Sequence, residues 1–246
     1  MNDDVKRYID TWRKYCPDYE IIEWDESNFD VNENDYCREA YESKKWAFVT
    51  DYVRLKVLYE YGGIYMDTDV EVVKPYDELL EKKFFCCFED DVKVSIGTFG
   101  AEPKCELLGK LLKKYQDIKF IRADGTMDMT TNLKIVTPLL VNEYKLSLNG
   151  KYQKLKDDIN VYPMEYFIAK EYNTGFIRRT CDTYAIHHFA GSWLSQKEKK
   201  RNDIYRKFYT ECPVQIEEIA ANYARIRTIL KCDTYRDIIN KIKNKL

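Results

Sequence analysis

The chain has 246 residues, 45% hydrophobic and 33% charged, so it can bury a substantial core and is neither disordered nor collagenous. Its 40 Lys and Arg residues against 42 Asp and Glu give a net charge of −2, which excludes a dedicated basic nucleic-acid binder. No segment is apolar over the roughly 18 residues that a membrane span needs, and the N-terminus lacks the pattern of a signal peptide. We therefore expect a soluble, cytoplasmic protein.

Apolar periodicity predicts alternating helices and strands along the chain. The expected helices cover 3–16, Lys45–Tyr61, Lys104–Tyr115 and the polar region past residue 197. The expected strands are Tyr19–Trp24, Ile64–Met66, Val70–Val73, Phe84–Phe88 and Tyr184–Phe189. This alternation favours an α/β fold, with a mixed sheet flanked by helices and a helical C-terminal extension. The helix Lys45–Tyr61 is apolar on both sides, so we expect it to be buried.

The eight cysteines are scattered, without the Cys-x-x-Cys spacing of a zinc ribbon. The only close pair, Cys86 and Cys87, is adjacent in sequence and unfavourable for an ordinary disulfide. We therefore expect reduced cysteines that are mostly small core residues. The tail from Arg225 to Leu246 carries seven Lys or Arg against two Asp. We interpret this tail as a solvated helix; peripheral contact with an anionic membrane surface is the alternative.

Two aspartates, Asp67 and Asp69, directly follow the predicted strand Ile64–Met66. At positions i and i+2 both carboxylates can reach one side of the strand end, where open α/β sheets bind ligands. Carboxylate oxygens suit Mg²⁺ or Mn²⁺. Gly62 and Gly63 before the strand permit a sharp turn and close approach of a ligand. A surface turn is the other explanation, because Asp-x-Asp is common by chance.

Asp51 and Arg54 lie three positions apart on the helix that we expect to be buried. A buried ion pair adds little net stability, so these residues either hold a ligand or dock the helix as a structural salt bridge. The two histidines, His187 and His188, end the predicted strand Tyr184–Phe189. A neutral imidazole is a suitable third ligand for Mn²⁺. Strand alternation lets at most one of the two histidines take that role.

Three motifs in this order carry a family resemblance: Thr50–Arg54, Tyr61–Asp69 and His187–Trp193. Together they resemble the DXD-motif sugar transferases of glycosyltransferase family 32. That family includes capsular polysaccharide enzymes and fungal mannosyltransferases, with the clostridial glucosylating toxins as distant relatives. The similarity extends over roughly residues 4–195. It implies a Rossmann-like GT-A catalytic domain over 1–196, followed by the helical extension 197–246.

The resemblance also implies a chemistry. The enzyme would transfer a hexose from a UDP- or GDP-sugar to a glycan or lipid-linked acceptor, with retention of configuration, as in polysaccharide biosynthesis. The cation would be Mn²⁺ or Mg²⁺, held by Asp69, Asp67 and His188, with His187 as the fallback. Asp67 would also face the ribose or sugar of the donor.

The same resemblance implies donor contacts away from the metal. Asp51 and Arg54 match positions that grip the transferred sugar, and they join the two motif aspartates as candidate catalytic residues. Tyr65 belongs to the expected donor-binding set. Ser192 and Trp193 match a loop that closes over the diphosphate.

Several alternatives stay open at this point. Family members usually begin with a strand that binds the nucleotide base, whereas this chain begins at the following helix, so we expect a truncated or misassigned start or a different base site. Neither double displacement nor a front-face mechanism is favoured. A haloacid-dehalogenase-like phosphatase would use Asp67 as nucleophile, although Glu89–Asp91 is a poor match to its later acidic motif. A non-catalytic nucleotide-sugar-binding protein is the third possibility. We expect Ser95–Gly100 and Met129–Pro138 near the active face.

Overall fold

The computed structural model describes residues 3–191, 194–212 and 217–232. Their backbone forms two compact units. One unit contains residues 3–170 and 178–190, and the other contains 171–177 together with the described residues from 191 onward. None of the helices in these ranges is long and apolar enough to cross a membrane.

The first unit combines helices and strands, so the predicted mixed α/β architecture is confirmed. Its helices are α1 (Asp3–Tyr15), α2 (Asp35–Glu42), α3 (Trp46–Tyr61), α4 (Glu106–Asp117) and α5 (Leu133–Tyr144). Its strands are β1 (Gly63–Met66), β2 (Val70–Val72), β3 (Phe84–Asp90), β4 (Lys93–Ala101), β5 (Gln153–Lys154), β6 (Ile159–Tyr162) and β7 (Ala185–His187).

The strands form a five-stranded sheet and a two-stranded sheet. The larger sheet has the order β1-β4-β3-β6-β5, in which β3 and β6 run parallel and the other neighbours antiparallel. Strands β2 and β7 form the smaller, antiparallel sheet, with Val70 opposite His187. This mixed sheet with flanking helices is compatible with a GT-A-like fold.

The core lies between the larger sheet and helices α2 to α5. Phe84, Cys86 and Phe88 of β3 are fully buried there together with Leu55 of α3 and Leu108 of α4. The intervening residues of β3 are buried too, because both faces of this strand are covered. The continuous apolar run in the sequence is the usual pattern for such a strand.

Helix α3 is buried on both sides, as its sequence predicts. Its only strongly exposed apolar residues are at its two ends, Trp46 and Tyr61. The helix ends at Gly62, whose N–H donates to the carbonyl of Leu58 at 2.9 Å. Helix α1 is tied to β2 by the Trp12 indole, which donates to the carbonyl of Val70 at 2.7 Å. These contacts fix the end of α3, which leads into β1, and strand β2, so that the chain is held on both sides of the Asp-x-Asp motif.

The predicted strand Tyr19–Trp24 is wrong. This segment joins no sheet within the described residues, and the side chain of Ile22 is 49% exposed. Trp24 holds the segment instead, because its ring packs on Tyr61 at 5.3 Å. The segment is thus held by side-chain contacts at its two ends, the second being the Tyr19 hydroxyl that donates to Asp77 at 2.8 Å, and not by a backbone ladder.

The cysteines behave as the sequence predicts, since all eight are free and six are buried. The second unit contains α6 (Gln196–Thr210) and α7 (Glu217–Cys232), which pack on each other. Helix α6 begins after Ser195, whose hydroxyl and the carboxylate of Glu198 form a capping box. Most of the basic tail, residues 233–246, lies outside the described residues.

Candidate active site

The Asp-x-Asp motif lies in a tight turn between β1 and β2. Gly62 and Gly63 have φ values of +70° and +100°, which glycine adopts without strain, so the chain turns sharply out of α3 into β1. The amide of Asp67 donates to the carbonyl of Gly97 in β4 at 2.8 Å, and the amide of Val70 donates back to the carbonyl of Asp67 at 3.0 Å. Both carboxylates of the motif are therefore held at the edge of the sheet.

Arg54 fixes the carboxylate of Asp67. The two terminal nitrogens of Arg54 contact the two oxygens of Asp67 at 3.3 and 3.2 Å, a two-point fork geometry. The hydroxyl of Tyr65 donates to Asp67 Oδ1 at 2.9 Å. The guanidinium also lies over the Tyr65 ring, 4.6 Å from its centroid. Asp67 is thus oriented before any ligand is bound.

Arg54 and Asp51 form the buried pair that α3 was expected to carry. Their side chains are 3.3 Å apart, and the two residues are only 4% and 6% exposed. The remaining N–H groups of Arg54 donate to the carbonyls of Thr50 and Ile96, both at 3.0 Å. Every nitrogen of the guanidinium therefore already has a protein acceptor.

Asp51 also accepts a hydrogen bond from the residue just before α5. The side-chain amide of Asn132 donates to Asp51 Oδ1 at 2.5 Å. Burial raises the pKa of Asp51 from 3.8 to about 6, although the charge of Arg54 and the bond from Asn132 oppose the rise. Asn132 belongs to the segment Met129–Pro138 that the sequence places near the active face.

The second aspartate of the motif pairs with a histidine from β7. Asp69 Oδ1 lies 3.1 Å from His187 Nε2, and Asp69 Oδ2 accepts from the amide of Ala190 at 2.6 Å. Burial raises the pKa of Asp69, but the His187 bond and charge and the Ala190 amide outweigh it and hold the pKa at about 2. Burial lowers the pKa of His187, and the bond to Asp69 outweighs that effect and raises it. The ionised Asp69 therefore favours a proton on His187 or a cation beside it.

The structure places His187, and not His188, beside the two aspartates. His188 Nε2 contacts Glu71 at 2.8 Å, and its ring stacks on Tyr8 at 4.5 Å. The reason is the register of the smaller sheet, in which His187 is opposite Val70. Alternation along β7 then turns the next side chain to the other face. The sequence predicted His188 beside the two aspartates. In the structure His187, the fallback residue, occupies that position instead.

Asp67, Asp69 and His187 form a group with the chemistry of a cation site. Each offers one ligand atom, and these atoms lie within 4.8 Å of one another. Two carboxylates and an imidazole suit Mn²⁺ or Mg²⁺. With Asp51 included, three carboxylates against the single guanidinium of Arg54 leave a formal charge of −2, which a divalent cation would neutralise. The residues present therefore fit the metal that the resemblance implies.

Two further residues belong to the surroundings of this group. Gly97 lies so close that a Cβ there would be 2.9 Å from Asp67 Oδ2. Glu89, next to a register irregularity of β3, is half-buried; burial raises its pKa, and the charge of His187 opposes the rise. The sequence marked Gly97 only as part of Ser95–Gly100. It named Glu89 only within Glu89–Asp91, as a poor match to a phosphatase motif, because only the tertiary structure brings this carboxylate near His187.

Comparison with known families supports the same region of the chain. Residues 2–85 match the glycosyltransferase sugar-binding region containing the DXD motif. The match supports a glycosyltransferase with a sugar-nucleotide-binding site, and it includes Asp51, Arg54, Tyr65 and both motif aspartates. His187 lies outside the matched segment and joins the site through the tertiary structure.

No curated protein and no solved structure matches the chain at a significant level. Two of the expected donor contacts, Ser192 and Trp193, lie outside the described residues. The other expected site residues, Asp51, Arg54 and Tyr65, form one contact network around Asp67.

Proposed function

We propose that this protein is a metal-dependent, retaining glycosyltransferase of family 32 type. It would act in the cytoplasm and move a hexose from a UDP- or GDP-sugar to a glycan or lipid-linked acceptor in polysaccharide biosynthesis. The observation that carries the proposal is the group Asp67, Asp69 and His187, whose ligand atoms lie within 4.8 Å of one another. Two of its three members come from the DXD motif of the matched region.

Asp69 and His187 would hold Mn²⁺ or Mg²⁺ together with Asp67. A cation held there would neutralise the negative charge that develops on the leaving diphosphate. A neutral imidazole is required of a histidine ligand, so the cation would take the place of the proton that Asp69 favours on His187. Cation binding should therefore release a proton at any pH at which His187 carries one.

Arg54 and Asp51 would act mainly as positioning residues. All N–H groups of Arg54 have protein acceptors, and little of either side chain is exposed. They would hold the carboxylate of Asp67 in a fixed orientation before the donor binds. This preorganisation reduces the entropy cost of ordering the site on binding. A direct grip on the sugar would require these contacts to rearrange.

The phosphatase alternative receives no support from this geometry. The strand before the motif, β1, is a short strand that pairs antiparallel with β4. That arrangement differs from the long apolar strand that the phosphatase interpretation requires.

The proposal can be tested by a panel of UDP- and GDP-sugars, each with Mn²⁺ or with EDTA, in thermal-shift and donor-hydrolysis assays. We expect one donor to stabilise the protein and to be hydrolysed slowly, only with the metal. Asp69→Asn should nearly abolish both effects and leave the fold intact. Glu71→Gln is the matched control, since it removes a nearby carboxylate that contacts His188 and not the group.

The outcomes of this panel separate the candidate functions. Normal metal-dependent activity in Asp69→Asn would contradict the assigned cation site. Donor binding without hydrolysis or transfer would support the non-catalytic nucleotide-sugar-binding protein instead. Release of free phosphate from a phosphate monoester would support the phosphatase.

A further inference from the structure

Helix α7 of the second unit exposes a row of large apolar side chains. Ile219, Ile226 and Leu230 are 46%, 58% and 68% exposed. At 3.6 residues per turn they lie, with the half-buried Tyr223, within a sector of about 60° around the helix. Single exposed apolar residues are normal on a protein surface, whereas a continuous apolar patch marks an interaction site. We call these four residues the α7 stripe.

The packing of α7 within its unit uses another side of the helix. Ala220 and Ala224 are buried, at the spacing of neighbours on one helix face. Helix α7 packs on α6, and Phe208 of α6 lies beneath the cationic ends of Arg227 and Lys231, at 5.0 and 5.8 Å. The described residues therefore hold α7 in place and leave the α7 stripe exposed.

Three cations flank the C-terminal half of the α7 stripe. Arg225, Arg227 and Lys231 are exposed, and none of them forms an ion pair within the described part of the chain. Arg225 donates to the neutral amide oxygen of Asn222 at 3.3 Å. The contacts of Arg227 and Lys231 with an aromatic ring leave their charges without a carboxylate partner. These three charges are available to an anionic surface.

The C-terminal part of the chain is basic as a whole. Residues 191–246 carry 13 Lys and Arg against 7 Asp and Glu, whereas residues 1–190 carry 27 against 35. An anionic surface would attract the first group and repel the second. Pairing of two copies through the α7 stripe would bring like-charged helices together. Charge therefore favours an anionic partner over self-association.

We infer that the α7 stripe and its flanking cations bind an anionic lipid surface. The helix would lie in the membrane interface, with its apolar side chains between the headgroups and its Arg and Lys side chains at the lipid phosphates. Apolar insertion and electrostatic attraction add in this mode of binding. The inference gives α7 the membrane contact that the sequence left open for the basic tail, and it does not depend on the proposed transferase activity.

The test is co-sedimentation of the full chain with phosphatidylcholine vesicles, with and without phosphatidylserine. We expect binding to the vesicles that contain phosphatidylserine, and we expect salt to weaken it. Ile226→Ser combined with Leu230→Ser should weaken it by about tenfold, because two partly inserted aliphatic side chains are lost. Leu80→Ser combined with Val92→Ser is the matched control, since these residues are 54% and 53% exposed in the first unit.

A second variant tests the charges separately. Arg225→Gln combined with Lys231→Gln should weaken binding to the phosphatidylserine vesicles by about tenfold, since each basic residue near such a surface contributes to the attraction. Circular dichroism checks the helix content of each variant. Because all four substituted positions on α7 are exposed, we expect the fold to be retained.

Several results would overturn the inference. These are no binding to phosphatidylserine vesicles, equal binding by the wild type and the Ile226→Ser, Leu230→Ser protein, or equal binding with and without phosphatidylserine. A dimer in sedimentation velocity that dissociates in this variant would assign the α7 stripe to a second copy. Lower thermal stability of the variant with unchanged vesicle binding would assign it to a contact within the chain. Vesicle binding by a protein without transferase activity would support the inference and contradict the proposed function.

Discussion

Replacing Gly97 with alanine tests whether the proposed cation site needs its present geometry. A Cβ at this position would lie 2.9 Å from Asp67 Oδ2 and 3.0 and 3.1 Å from Cε1 and Nδ1 of His187. Non-bonded carbon atoms pack at about 3.5–4.0 Å, so both side chains have to move, each by up to roughly 0.5 Å. Metal–ligand distances tolerate only about 0.2 Å. We therefore expect Gly97→Ala to weaken Mn²⁺ binding by about 10–100-fold, as for other groups that orient metal ligands.

The assay is calorimetric Mn²⁺ titration of the wild type and of Gly97→Ala. Gly109→Ala is the control, because its Cβ would meet only the Tyr59 ring, at 3.3 Å from the nearest atom. Thermal unfolding in EDTA monitors the fold, which we expect to lose about 1–3 kcal/mol through overpacking. Unchanged Mn²⁺ affinity in a folded Gly97→Ala protein would refute the reasoning.

Three further predictions concern the same network. His187→Ala should weaken Mn²⁺ binding more than His188→Ala, because only the former imidazole faces the motif aspartates; the reverse order in titrations would contradict the register of β7. Arg54→Met should lower the free energy of unfolding in urea by about 3–5 kcal/mol, since it leaves two carboxylates without their counter-ion. Adding Asp51→Asn should recover part of that loss, and no recovery would argue against the pairing. Finally, the pKa of Asp51 is raised from 3.8 to about 6, so its stabilising contribution is present below pH 3.8 and lost as the pH rises through 6. As the pH rises between these two values, the wild type should therefore lose stability relative to Asp51→Asn, measured in EDTA. A relative gain in stability would contradict the raised pKa.

Local sequence signals predicted the helix and the turn that precede the Asp-x-Asp motif. The apolar positions of Lys45–Tyr61 predicted a buried helix, and the structure has α3 at Trp46–Tyr61 with most of its side chains buried. Gly62 and Gly63 predicted a turn, and both have positive φ. These features depend on neighbours within a few residues, so the sequence alone carries enough information. The same local logic failed at Tyr19–Trp24, because a strand also needs a partner that the segment itself cannot specify.

The amino-acid sequence by itself determined the α/β class, the buried helix and the position of the Asp-x-Asp motif after a strand. Only the tertiary structure decided which histidine joins the aspartates, since that choice depends on pairing β7 with β2, two segments far apart in the chain. It also brought Gly97 against Asp67, and Asn132 against Asp51. The physical reason is that a shift of one residue in strand register turns every side chain to the opposite face, and no local pattern at His187 and His188 distinguishes the two registers.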